Sequence, residues 1–399
     1  MMEAPRPEWV TQNRVIKLFE SLGYHYLGDW HTRVSNSNIE EEILRENLTK
    51  RGYEEVLINA AIGKLHTTAD TPSGELYTAN KNVYRLLRYG AKVRIAVDAT
   101  TETVELIDWD HPEQNDFAIA EEVTLKGNHT RRPDLVLYIN GIAVGVIELK
   151  RSSHEIGDGV RQVISNQTPE FNEWFYSTVQ LVFAGNDSQG LRYGTTLTPE
   201  QYFVEWKNDP GSTAHTADEN SMDAALEYVC NKDRMLDIVR NCTIFDAGKK
   251  KIPRPHQYFG LKAAQERIKN REGGVIWHTQ GSGKSILMVM LAKWIMEHDP
   301  EGRVLIITDR DELDKQIVGV MRNAGVIGEN DKDVRMTSRK EFIDKLGDTK
   351  PRLLCALIHK FDTKKLEGPK PDIHGRFYIF VDECHRTQGG YMNKLMKRW

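Results

Sequence analysis

Three charged residues in the stretch "RRPDLVLYINGIAVGVIELKRS" (131–152) have types and spacing that could do chemistry. Asp134 opens one apolar run, and Glu148 and Lys150 close the next. Two carboxylates brought close together repel each other unless a cation lies between them. Their oxygens suit Mg²⁺. A lysine beside such a metal could orient or deprotonate a water, or offset phosphate charge. This is the chemistry of metal-assisted phosphodiester cleavage, with Asp134 and Glu148 as metal ligands and Lys150 as the third catalytic residue. The competing reading is an ordinary hairpin with solvated charged ends.

The element that must position these residues is a β-hairpin, signalled by two apolar runs flanking Asn140-Gly141. Side chains alternate faces along a strand. Glu148 and Lys150 therefore share a face, with Ile142, Val144 and Val146 on it, and the opposite face is expected to form an apolar core stripe. A two-residue loop sets Asp134 on the face opposite Glu148. A three-residue loop, Ile139-Asn140-Gly141 with Gly141 left-handed, or an equivalent bulge elsewhere, brings all three together.

A second group of chemical residues lies in "GGVIWHTQGSGKSILMVMLAKW" (273–294). A strand is predicted to run into "GSGKS", with a helix after it, the context a phosphate-binding loop needs. Gly281, Ser282 and Gly283 let the backbone wrap phosphates, and the helix N-terminus adds its positive end. Lys284 would reach the β- and γ-phosphates of ATP and Ser285 would hold Mg²⁺. Further on, "RFYIFVDECHR" (376–386) reads as a buried strand ending in two acids. Asp382 would hold Mg²⁺ through water and Glu383 would polarise the attacking water. Upstream, Gln257 in "RPHQYF" is a candidate adenine reader, with a plain surface residue as the alternative.

These motifs carry resemblances. Asp134, then Glu148-x-Lys150 with Pro133 before, resembles the PD-(D/E)xK nucleases. Asp-Glu-Cys-His at 382–385 resembles the DExH box of superfamily 2 nucleic-acid translocases, and "VLIITDRDELDKQI" (304–317) their motif Ia. "TSRKEF" (337–342) and "IHKF" (358–361) resemble later DNA-contact motifs. Together, "HTQGSGKS", "TDRDELDKQI" and "DECHR" behind a nuclease motif closely resemble the motor-nuclease subunit of type I restriction enzymes, over nearly the whole chain. His278, where the simple phosphate-loop pattern wants glycine, is itself a feature of that family. The resemblance implies ATP hydrolysis coupled to translocation on duplex DNA, Mg²⁺-dependent cutting remote from the recognition site, and methylation and specificity subunits as partners. Family members often carry a QxxxY motif after the nuclease lysine. Here Gln162 is followed by Asn166, and Gln167 with Phe171 is a shifted candidate. Glu8 or Glu41 could complete the metal site.

The implied fold is α/β: a PD-(D/E)xK nuclease-like mixed-sheet domain (1–206), a linker with connecting helices (207–245), and a RecA-like parallel-sheet domain carrying the phosphate-binding loop (246–399). A superfamily 2 motor also needs a second RecA-like domain, so the expectation is a fragment that binds nucleotide weakly and turns it over negligibly. With 39% hydrophobic residues and no long apolar run, no membrane segment is expected. Four cysteines without CxxC spacing argue for reduced thiols in a cytosol rather than zinc or disulfides. At net charge −4, nucleic-acid contact must come from local basic surface, with Arg131-Arg132, Lys150-Arg151 and "KKKIPR" (249–254) as candidates. Two rivals remain at this point: a translocase or helicase whose N-terminal domain is a non-catalytic DNA-binding or docking module, and an ATP-driven switch with no nucleic-acid role.

Overall fold

The computed structural model of the chain describes residues 8–70, 72, 74–96, 100–206, 221–308, 311–323, 334–336, 338–357 and 373–382. The chain forms two compact units, Met1–Thr243 with Gly248–Pro255, and Ile244–Ala247 with His256–Trp399. Among the described residues no helix is long and apolar enough to cross a membrane, and Cys230, Cys242 and Cys355 are buried free thiols.

The first unit runs α1 (Glu8–Ser21), β1 (His25–Asp29), α2 (Glu41–Lys50), α3 (Glu55–Ala69), α4 (Leu76–Tyr89), β2 (Ala91–Val93), β3 (Glu102–Val104), β4 (Phe117–Glu121), β5 (Leu135–Ile139) and β6 (Ile142–Leu149). It continues with α5 (Ile156–Asn166), β7 (Leu181–Asn186), β8 (Gly190–Gly194), β9 (Val204–Glu205), α6 (Ser221–Cys230) and α7 (Lys232–Cys242). Seven strands make one mixed sheet in the order β1-β4-β5-β6-β7-β8-β9. The β1/β4 and β6/β7 pairs are parallel and the other pairs antiparallel. Parallel neighbours need a crossover, and α5 supplies the one between β6 and β7. Of the residues expected to link two domains, 207–220 lie outside the described set, and α6 and α7 cluster with this first unit.

The central hairpin β5–β6 is buried along its whole length on both faces. The expected single core stripe is thus replaced by two. On one face Val136, Tyr138, Ala143 and Val146 pack with Val163 of α5, Phe175 and Val182. The turn is a two-residue one: Asn140 (φ 52°) and Gly141 (φ 78°) are both left-handed, and Ile139 pairs with Ile142. This is the primed turn geometry that suits strand twist, so the expected three-residue loop does not form. The turn is also internal. Asn140 Nδ2 donates to Leu106 O at 2.9 Å and to Asn115 Oδ1 at 2.9 Å, and its Oδ1 accepts from Asp116 N at 2.7 Å. A Cβ on Gly141 would stand 2.6 Å from Glu40 O, so both its φ and the space require glycine. The register then shifts: Tyr138 faces Ala143, but Leu137 faces Gly145, which leaves Val144 as an extra, bulged residue.

The chain passes to the second unit at the short hairpin β10 (Ile244–Asp246) and β11 (Lys249–Lys251). Then follow α8 (Pro255–Lys269), α9 (Lys284–His298), β12 (Gly302–Thr308), α10 (Asp311–Asn323), α11 (Arg339–Gly347), β13 (Leu353–Leu357) and β14 (Arg376–Val381). The three long strands form a parallel sheet in the order β13-β12-β14. Arg303, 2% exposed in the middle strand, donates to the carbonyls of Leu346 (2.9 Å), His374 (3.1 Å) and Lys345 (2.6 Å), so one guanidinium ties the end of α11 to the sheet. The predicted "GGVIW" strand is absent: residues 272–279 have no regular structure, and Trp277 is 89% exposed. A strand exists by its hydrogen-bond ladder. Here the Gly273 carbonyl is taken instead by Arg267 Nη1 at 3.0 Å.

Candidate functional site

Two separate groups of chemistry-bearing residues emerge, one in each unit. In the first, the bulge at Val144 sets the register so that Leu135 faces Ile147. The next pair outward is Asp134 and Glu148, on one face and close enough for the Asp134 carboxyl to raise that of Glu148. Asp134 Oδ2 also accepts from Leu149 N at 2.6 Å. Glu148 is completely buried. Lys150 follows, its backbone N donating to Gly185 O of β7 at 2.9 Å and its Nζ to Leu149 O at 3.2 Å.

Helix α5 closes over this point. Its approach depends on Gly159, where a Cβ would lie 3.2 Å from Ala184 Cβ and 3.3 Å from Lys150 Cγ. Gln162 and Asn166, one turn apart on the same helix face, then reach the buried carboxyl together. Gln162 Nε2 donates to Glu148 Oε2 at 2.7 Å and Asn166 Nδ2 to Glu148 Oε1 at 3.1 Å. Gln162 thus touches the Glu148 carboxyl, and Asn166 stands where the resembled pattern has tyrosine. The shifted pair does not: Gln167 Oε1 accepts from Leu197 N at 2.6 Å, and Phe171 lies under Arg131. Of the two early acids, Glu8 is placed at the site, with Oε1 3.9 Å from Lys150 Nζ. Glu41 pairs instead with His66 at 2.8 Å.

The electrostatics follow from burial. Desolvation pushes the Asp134 carboxyl up from 3.8 to about 6; the Leu149 N–H and Lys150 oppose it, and Glu8 and Glu122 add to it. Glu148 is pushed well above its usual range, first by burial and then by the charge of Asp134. A buried and a half-buried acid, both kept from ionising chiefly by desolvation, are a donor set that a divalent cation would satisfy. Among the described residues no three His, Cys, Asp or Glu side chains converge into a metal cage. A site of two carboxylates plus water suits Mg²⁺, which keeps part of its hydration shell.

In the second unit, Gly281 (φ 77°) and Gly283 (φ 83°) are both left-handed, and Gly283 caps the N-terminus of α9, which begins at Lys284 and Ser285. Lys284 Nζ donates to His278 O at 3.3 Å, inside its own loop. Ser282 Oγ and His278 Nδ1 are buried with no hydrogen-bond partner, polar atoms that a phosphate would serve. Burial, then His256 and Lys284, push the His278 imidazole below its ordinary value. Gln257 is 5% exposed and holds the loop from behind. Its Nε2 donates to Ser282 O at 3.0 Å and Gly283 O at 3.2 Å, with His256 Nε2 at 3.1 Å from Ser282 O. The Gln257 amide thus supports the loop backbone, a contact the sequence pattern alone did not disclose. Asp382 sits at the carboxyl end of β14, its backbone N donating to Ile307 O at 3.0 Å. Glu383, Asp309, Arg310 and "IHKF" lie outside the described residues. In "TSRKEF", Ser338 is the N-cap of α11, accepting from Glu341 N.

Comparison with known proteins gives concordant results. Residues 6–202 match the family model "Type I restriction enzyme R protein N terminus", and residues 256–399 the model "SWI2/SNF2 ATPase". The type I restriction enzyme HindI endonuclease subunit of Haemophilus influenzae is 28% identical over 81% of this chain and 33% of its own length. Two putative type I restriction enzyme endonuclease subunits of Methanocaldococcus jannaschii, MjaIXP and MjaVIIIP, are 24% and 28% identical over 98% and 100% of this chain. The chain spans 33% to 42% of the length of these curated relatives.

Proposed function

Because the chain belongs to the family of type I restriction enzyme R proteins, we propose that its first unit is a PD-(D/E)xK endonuclease module and its second a RecA-like half of a superfamily 2 translocase. In the assembled enzyme, with methylation and specificity subunits as partners, ATP hydrolysis drives translocation on duplex DNA and the first unit cuts remote from the recognition site.

The observation that carries the reading is the cross-strand placement of Asp134 and Glu148 beside Lys150. Asp134 and Glu148 would hold Mg²⁺, which when bound polarises a phosphoryl oxygen and supplies an acidified water. Gln162 and Asn166 fix the rotamer of Glu148, so the ligand oxygens need not reorganise. Lys150, tethered between β6 and β7, presents a cation to the phosphate and a proton-transfer group to water. In the second unit, Gly281, Ser282 and Gly283 wrap the phosphates of ATP. Lys284 would reach the β- and γ-phosphates, and Ser285 and Asp382 would hold the nucleotide's Mg²⁺. Glu383 is assigned the attacking water from its place in the motif.

The test is Mg²⁺- and ATP-dependent cleavage by the full-length assembled complex. Lys150→Ala should lose cleavage and keep ATPase; Lys284→Ala should lose both. Cleavage that survives Lys150→Ala would return the first unit to a docking or DNA-binding module.

A further inference from the structure

The segment from Leu76 to Arg94, α4 and β2, holds five basic residues and no acidic one, in a chain with 58 acids against 54 lysines and arginines. Lys81 and Arg85 are one helical turn apart, about 6 Å along the axis. Lys92 follows on β2, and Lys64 arrives from α3, donating from Nζ to Lys92 O at 2.6 Å. Lys64, Arg85 and Lys92 line a concavity of about 280 Å³ with Tyr89 and Gly90.

Several arginines elsewhere in this unit are paired with acids. Arg14 meets Asp187 and Asp223, Arg33 meets Glu40, Arg161 meets Asp158 and Glu200, and Arg240 meets Asp110. Among the described residues, Lys64, Lys81, Arg85 and Lys92 make no ion pair with an acid. The Lys81 amine is pushed below its ordinary value by burial and by the charge of Arg85, as expected of cations crowded together without compensation. A row of like charges left unneutralised on a structured face suits a row of phosphates.

We propose that the face formed by Lys64, Lys81, Arg85 and Lys92 is a backbone-contact surface for duplex DNA, separate from the carboxylate site. The inference rests on the nucleic-acid role proposed above. The separation follows from the fold. Asn80 of α4 donates to the carbonyls of Tyr176, Ser177 and Val179, just before β7 begins. Glu148 lies beside Ala184, toward the far end of that strand. The contact therefore holds the duplex without touching the bond that is cut.

The experiment is titration of a labelled 30-base-pair duplex with the 399-residue chain, without Mg²⁺ or nucleotide, at several salt concentrations. The triple variant Lys81→Gln, Arg85→Gln, Lys92→Gln should weaken binding about tenfold or more and reduce the slope of log affinity against log salt by about 2 to 3. Arg85→Gln and Lys92→Gln alone, both at exposed positions, should each give part of the effect, which guards against misfolding of the triple variant. Unchanged affinity and slope in a folded triple variant overturn the inference. Unchanged duplex binding with weakened assembly onto the other subunits also overturns it, in favour of an acidic protein surface. Absence of duplex binding by the wild-type chain would instead count against the nucleic-acid reading as a whole.

Discussion

Asp134 and Glu148 face each other across β5 and β6, although a regular ladder from the Asn140-Gly141 turn would set them on opposite faces. One unpaired residue, Val144, makes the difference. The convergence of the two carboxyls thus depends on a bulge several residues away from either of them.

Stability of the metal-free protein should fall as pH rises between about 4 and 6. Asp134 holds its proton more tightly folded, at about 6, than at its ordinary 3.8. Its contribution is therefore complete below about pH 4 and lost as pH passes the folded value. Compared with wild type, Asp134→Asn should show a flatter melting temperature across this window, and Mg²⁺ should shrink the wild-type fall. Parallel profiles for the two proteins would contradict the assignment of burial as the cause.

Lys150→Ala in the full-length complex should reduce DNA cleavage by about a hundredfold or more, the scale of a lost proton-transfer or charge-stabilising group. ATPase and translocation should stay within twofold, roughly, because the mutated side chain belongs to a different unit from the phosphate loop. Single-turnover cleavage and phosphate release measured on one preparation separate the two.

Asn166→Ala should raise the Mg²⁺ concentration needed for half-maximal cleavage by about tenfold. It deletes one of two amide donors to a buried carboxyl, and a hydrogen bond to a charged group is worth about 1.5–3 kcal/mol. Gln162→Ala should act in the same direction, and the double variant by less than the product, since both donors serve one carboxyl. A changed maximal rate with an unchanged Mg²⁺ requirement would place these residues elsewhere in the mechanism.

Lys284→Ala should abolish ATP-dependent translocation and the cutting that follows it. Gln257→Ala should leave the lysine in place but weaken nucleotide binding several-fold, by releasing the loop carbonyls of Ser282 and Gly283. Binding of a fluorescent ATP analogue reads both. Adenine selectivity that is lost while loop affinity is retained would assign base reading to Gln257 instead.

Arg303→Met should destabilise the second unit by about 3 kcal/mol, because several buried carbonyls lose their donor at once. The check is the unfolding midpoint in urea. Nuclease-site readouts should not change.

Much of the architecture was legible because its signals are local. Alternation and an Asn-Gly pair mark the hairpin, two glycines mark the left-handed loop before α9, and α1, α2 and α5 end close to where their glycines or polar flanks suggest. The helices α3 and α4 went unnoticed, and with them the basic face, because their cations sit singly along the chain instead of in a run. The two-residue turn with a remote bulge was foreseen only as an alternative to a longer loop. Sequence fixes the parity problem but not where the extra residue is absorbed, which depends on what packs at Gly141 and Val144. Gln162 was visible but its purpose was not, since a hydrogen bond to Glu148 depends on how closely Gly159 lets the helix descend.

The amide of Gln257 has an effect on the side of the loop it does not touch. A peptide group is a rigid plate whose oxygen and hydrogen point in opposite directions. Pinning the oxygens of Ser282 and Gly283 toward α8 therefore turns the hydrogens of Gly283 and Lys284 the other way. The loop's electrical polarity is in this sense written from its back surface. A glutamine in the preceding helix orients two dipoles before any anion arrives.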